Sequence, residues 1–163
     1  MGINFNADEI FEMAEEIERN GAKFYREAAK KVPDKKVEQM LLDMAAMEDG
    51  HLATFKEMRK KLSGDEKGVM VFDPDNEAAL YLQAMADVHG SEGKVDPSQK
   101  LTGNETIKEL LEIAVNAEKE SVVFYTGLKN VVPAKAGKDK VKGIITEELS
   151  HVTRLTKQLK ELK

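Results

Sequence analysis

Glu18, Glu48 and His51 recur one hundred residues later as Glu118, Glu148 and His151. Glu48 with His51 and Glu148 with His151 each form a Glu-x-x-His pair. On a helix the second residue of such a pair lies about 60° round and roughly 4.5 Å along from the first, so carboxylate and imidazole can meet on one cation. Four carboxylates and two imidazoles make a donor set for two divalent metal ions, whose positive charges match the carboxylates. Mixed carboxylate and imidazole ligation suits iron or manganese, with zinc a further alternative. The expected arrangement has Glu48 and Glu148 bridging, Glu18 and Glu118 terminal, and one histidine on each ion.

These six residues belong to a longer internal repeat. Residues 4–62 and 104–162, aligned without gaps, share 14 identities in 59 positions, among them Phe24-Tyr25 with Phe124-Tyr125 and Val32-Pro33 with Val132-Pro133. A repeat of this length fixes the architecture before any local reading does. Four apolar stripes at steps of three and four then predict four helices. The first runs through Ala7, Phe11, Ala14, Glu18, Gly21, Tyr25 and Ala28, and the second through Val37, Leu41, Met44, Glu48, His51, Phe55, Met58 and Leu62. The third carries Ile107, Leu111, Ala114, Glu118, Ser121, Tyr125 and Leu128, and the fourth Val141, Ile144, Glu148, His151, Leu155 and Leu162. All six repeated polar residues fall on stripes that are otherwise apolar or small, and no Lys or Arg accompanies them. Buried carboxylates cost several kcal/mol each, and four close together cannot all stay ionised, so the site requires compensating cations.

Pro33 and Pro133 end the first and third helices, and Ser63-Gly64 ends the second. Asn6 or Asp8 is expected to cap the first helix, and Thr102 or Asn104 the third. Glu18 and Glu48 lie fifteen residues on either side of Pro33, as Glu118 and Glu148 do around Pro133, so each antiparallel hairpin brings its two carboxylates to one height. The boundaries read as hairpin 1 over about 6–63, a crossover over 64–104 and hairpin 2 over about 105–163, one domain spanning 1–163. Within the crossover, Asp73-Pro74-Asp75 starts a short helix whose face is Ala78, Tyr81, Leu82, Met85 and Val88, and Gly90-Ser91-Glu92-Gly93 ends it.

Composition sets outer bounds. The chain has 163 residues, 34% of them charged, no Trp and only four Pro, which favours helix. A net charge of -5 argues against nucleic acid. No apolar run approaches the roughly 20 residues of a bilayer span, and the first residues lack the features of a signal peptide. Without cysteine there is neither a disulfide framework nor a thiolate-held iron centre. A cytoplasmic location is the expectation.

With one Glu from each of two helices and Glu-x-x-His from the other two, the chain resembles the ferritin-like superfamily of di-iron carboxylate bundles. Within it, the chain is most similar to the helical domain of rubrerythrins. The resemblance implies an all-α fold, a ferritin-like four-helix bundle of two pseudo-symmetric helical hairpins joined by a long crossover. It also implies a two-iron centre that reduces hydrogen peroxide or dioxygen with electrons from an external donor, a rubredoxin or a reductase. The rival reading is a non-catalytic iron-handling protein with incidental ferrous oxidation. Two departures from rubrerythrins stand out. No four-Cys rubredoxin-like segment is present, and Ser121 occupies the position where their third helix offers a second carboxylate. The set of four Glu and two His is closer to bacterioferritin in its ligand count. A homodimer is the expected assembly, with the amphipathic crossover helix as its interface.

Several further residues bear on the site. Tyr25 and Tyr125 lie two helical turns from Glu18 and Glu118, where each phenol can donate to a bridging carboxylate or simply fill the core. Glu15, Glu16, Glu120 and Glu147 lie off the stripes and read as solvated surface. Gly21 and Ser121 leave room beside the carboxylates for a diatomic ligand or for close helix packing. His89 reads as structural or exposed, and Met40, Met44, Met47 and Met58 as core filling.

Overall fold

A computed structural model of the protein describes residues 7–62, 80–81, 84, 97–132 and 134–162. Among the described residues four long α-helices have defined bounds, α1 (Ala7–Ala29), α2 (Lys35–Lys60), α3 (Ile107–Val131) and α4 (Lys138–Glu161), with short 3-10 turns at Pro97–Lys100 and Ala134–Ala136. No strand occurs among the described residues. Helices α1 and α2 pack as one antiparallel pair, α3 and α4 as the other. No helix among the described residues is long and apolar enough to cross a membrane.

The core is split in two. One apolar cluster joins the start of α1, the end of α2, the end of α3 and the start of α4 through Phe11, Phe55, Phe124, Tyr125 and Ile144. The other joins the opposite ends through Phe24, Tyr25, Leu41, Leu111 and Leu155. The end of α1 thus lies against the start of α3, so these two helices run antiparallel, as do α2 and α4. Lys60 and Ile107 sit at opposite ends of a bundle whose first helix is 23 residues, about 35 Å, long. A tight turn cannot bridge that distance, which is why a crossover of some forty residues separates the hairpins.

Most of the crossover reading, including the Asp73-Pro74-Asp75 helix start, Ala78, Leu82, Met85, Val88 and His89, lies outside the described residues, as do Asn6, Ser63-Gly64 and Pro133. Leu80, Tyr81 and Ala84 are helical. Tyr81 donates its hydroxyl to the Val123 carbonyl and lays its ring on Gly127, where a Cβ would come within 2.2 Å of it. The equivalent position in the first hairpin is Glu27, so this seat exists on the second hairpin alone.

The helix ends correct two expectations. Thr106, not Thr102 or Asn104, caps α3: its hydroxyl accepts from the Glu109 backbone at 3.2 Å while the Glu109 carboxylate accepts from the Thr106 backbone at 2.7 Å. This reciprocal box satisfies two end donors at once. Thr102 instead donates its hydroxyl to Glu105 at 2.7 Å. Helix α1 ends at Ala29, four residues before Pro33, because Lys30 and Lys31 already form a turn. Asp34 caps α2 through Lys36 N at 2.8 Å and Val37 N at 3.3 Å. The matching turn of the second hairpin uses Gly137 at φ 108°, a left-handed conformation that favours glycine. Thr106→Ala should lower stability by about 1 kcal/mol, read as a lower urea midpoint with an unchanged slope.

Candidate metal centre

Between the two apolar clusters all six residues meet. Glu18, Glu48, His51, Glu118, Glu148 and His151 are buried, none more than 4% exposed. Their donor atoms fall into two overlapping groups, Glu18, Glu48, His51 and Glu148, and Glu48, Glu118, Glu148 and His151, each lying within 4.8 Å of one another. Glu48 and Glu148 belong to both groups.

Each histidine turns Nδ1 inward. His51 Nδ1 lies 2.8 Å from Glu148 Oε1, 3.4 Å from Glu18 Oε2 and 3.7 Å from Glu48 Oε2. His151 Nδ1 lies 3.2 Å from Glu48 Oε1, 3.3 Å from Glu118 Oε1 and 3.5 Å from Glu148 Oε2. Each shared carboxylate therefore sends one oxygen toward one imidazole and its second oxygen toward the other. Glu18 faces only His51, and Glu118 only His151. The rings are 6.0 Å apart and stacked at 25°.

Five inward atoms, Glu18 Oε2, Glu48 Oε1, His51 Nδ1, Glu148 Oε1 and His151 Nδ1, have no hydrogen-bond partner. Buried polar atoms are rarely left so, and five converging on one point fit a cation better than any hydrogen-bond network the chain provides. The residues present fit two metal ions.

Electrostatics lead to the same place. Burial, and then the carboxylates beside them, hold Glu18 well above the usual carboxylate range and push Glu118 up to about 8. Burial works against ionised Glu48 and Glu148 as well, but the favourable approach of the paired Glu and of the imidazoles outweighs it and keeps both low. For the histidines burial opposes charge, yet the surrounding carboxylates prevail, raising His51 strongly and His151 to about 12. Without metal, protons supply the missing positive charge.

The tyrosines reach across the hairpins. Tyr25 donates to Glu118 Oε1 and Tyr125 to Glu18 Oε1. Their partners are the unshared carboxylates of the opposite hairpin, not the shared Glu48 and Glu148 expected from the sequence. Antiparallel packing of α1 on α3 is the reason, since it sets residue 25 beside residue 118. Both phenols are held above their usual pKa, first by burial and then by the charge of Glu118 and Glu18 respectively.

The residues read as solvated surface divide. Glu16 pairs with Arg19. Glu120 is half-buried, 4.0 Å from Lys100. Glu15, by contrast, is buried, because Arg59 covers it at 3.6 Å while also gripping Asp8 with two bonds of 2.8 and 2.9 Å. Glu147 touches the site directly, its Oε2 lying 2.8 Å from His51 Nε2. Met44 and Met58 fill the core, but Met47 faces His151, with Sδ 3.4 Å from Nε2. Gly21 and Ser121 line a small cavity between α1 and α3, shared with Tyr25, Glu48 and Glu118, with about 20 Å³ for a water-sized molecule.

The family model for rubrerythrin matches residues 9–159. The crystal structure of a ferritin-like diiron-carboxylate protein from Thermotoga maritima superposes with a TM-score of 0.70, is 24% identical and covers 98% of both chains. That likeness carries the fold, a ferritin-like bundle. None of the curated proteins compared with the chain matches it. With a family match that takes in all four helices and all six inward donors, the chain belongs to the rubrerythrin family.

Proposed function

We propose that the protein is a non-haem di-iron oxidoreductase that reduces hydrogen peroxide, or dioxygen, with electrons from an external rubredoxin or reductase. One observation carries this reading: Glu48 and Glu148 each aim one oxygen at each of two inward histidines. In it, Glu48 and Glu148 would be shared by two ions, Glu18 and His51 would help to hold one, and Glu118 and His151 the other. The relative from Thermotoga maritima is described as a diiron-carboxylate protein, which supports iron over manganese or zinc. Two bound ferrous ions supply the two electrons that, with two protons, convert peroxide to two waters.

The chain's own residues do the rest. Tyr125 anchors Glu18 by Oε1 and leaves Oε2 facing His51, whereas Tyr25 anchors Glu118 by Oε1, the same oxygen that faces His151. Apolar clusters on both sides exclude bulk water. The cavity beside Gly21 and Ser121 offers room for a water-sized molecule next to Glu48 and Glu118, which suits peroxide or dioxygen. The reading includes a homodimer in the cytoplasm, where reduced carriers can return electrons.

Anaerobic loading with ferrous iron, followed by stopped-flow mixing with each oxidant, tests it. Two iron ions per chain, oxidation far faster with peroxide than with air, and repeated turnover with a reduced donor are expected. Oxidation of many ferrous ions per chain, with ferric mineral retained in a particle far larger than a dimer, would instead establish an iron-handling protein.

A further inference from the structure

The repeat brings two equal sets of ligands together, but it breaks at the position just before each Glu-x-x-His: residue 47 is Met and residue 147 is Glu. Each of these side chains crosses to the outward nitrogen of the opposite hairpin's histidine. Glu147 Oε2 is 2.8 Å from His51 Nε2. Met47 Sδ is 3.4 Å from His151 Nε2, with the Arg154 guanidinium 3.9 Å from the same sulfur. His51 thus backs onto an anion, and His151 onto a thioether with a cation behind it.

A carboxylate can only accept, so His51 Nε2 must donate to it, and the neutral imidazole then keeps its Nδ1 lone pair aimed at Glu18, Glu48 and Glu148. The contact is on the outer edge of the ring, so binding at Nδ1 leaves it intact. A thioether is a weak acceptor and fixes neither the tautomer nor the ring. Arg154 further opposes positive charge on the His151 side. Glu147 sits on a groove between α2 and α4 floored by His51 and flanked by Gly50 and Gly143, neither of which has an atom within 4 Å of where a Cβ would project. Thr54 of α2 and Lys140 and Ile144 of α4 line the rest of the groove.

We propose that Glu147 is a positioning residue that makes the two metal positions unequal, so that the His51 position fills first and holds its ion more tightly than the His151 position. The inference rests on the two-metal reading above, and it concerns this chain's departure from its own repeat.

Titration of the apo-protein with Co(II) under nitrogen, followed by calorimetry and by visible absorption, tests it. Two binding steps are expected, the first at least about tenfold tighter. His51→Ala should remove the tight step and His151→Ala the weak one. Glu147→Met, which copies the first hairpin, should weaken the tight step by roughly 10–100-fold and merge the two. Glu147→Gln, whose amide oxygen still accepts, should keep more of it. Met47→Glu should tighten the weak step, since the introduced carboxylate lies between His151 and Arg154. Circular dichroism of each apo-variant checks that the helices persist. Two bound cobalt ions with constants that Glu147→Met and Met47→Glu leave unmoved would overturn the inference while the two-metal centre stood; failure to bind cobalt at all would overturn both.

Discussion

Loading the apo-protein with ferrous iron should raise its thermal midpoint by at least roughly 8–16 °C and release at least about three protons per pair of ions. The stabilisation follows from linkage: a ligand at a thousandfold excess over its dissociation constant, bound only by the native state, adds about 4 kcal/mol. The protons follow from the site. Burial and neighbouring carboxylates hold Glu18 well above the usual carboxylate range and Glu118 at about 8, and both imidazoles are charged by the carboxylates around them. At pH 7 Glu118 and both imidazoles carry protons in the apo-state and must lose them to become ligands. The sign is therefore fixed, with metal competing against protons. Below about 8, the value for Glu118, the product of the two binding constants should climb by at least about three orders of magnitude per pH unit, and the slope should lessen by about one above it. Calorimetry in two buffers of different ionisation enthalpy measures the released protons directly. Binding independent of pH would show that these residues are not the ligands.

Glu48→Gln combined with Glu148→Gln should reduce bound iron from two per chain to less than one and abolish oxidation by peroxide. No other pair of residues takes part in both donor groups. An amide oxygen lacks the charge that offsets a divalent ion, and an amide nitrogen turned inward repels it. The apo-fold should survive within about 2 kcal/mol of the parent, because each histidine can shed its proton once its carboxylate partner is gone and no buried charge is stranded. Glu57→Gln with Glu112→Gln, both exposed, should alter neither iron content nor oxidation rate. Elemental analysis and stopped-flow absorption read both variants. If the buried pair kept full iron content and reactivity, the repeat would be a folding motif and the site would lie elsewhere.

Much of this protein is legible in its sequence because helices are local objects. A period of three and four identifies the inward face of each helix, and the hundred-residue repeat says that two such hairpins are equivalent. Together they place Glu18, Glu48, His51, Glu118, Glu148 and His151 on one buried layer without any coordinates. The cap of α3 is equally local: Thr106-x-x-Glu109 carries the capping-box pattern directly before the apolar stripe.

What touches the flank of a helix is decided by the neighbour, and periodicity is silent about neighbours. Glu147 is one residue, about 100°, away from inward-facing Glu148, and so reads as solvent-facing; only the approach of α2 sets His51 beside it. Met47 meets His151 for the same reason. Glu15 reads as surface until Arg59 of α2 folds over it. Tyr25 and Tyr125 look paired with carboxylates of their own hairpins, yet the antiparallel packing of α1 on α3 gives each to the other hairpin's glutamate. The sequence by itself determined which residues turn inward, because that depends on 3.6 residues per turn. The tertiary structure alone decided which of them share a carboxylate, a phenol or a histidine, because those contacts join segments about a hundred residues apart whose relative height and rotation no local period encodes.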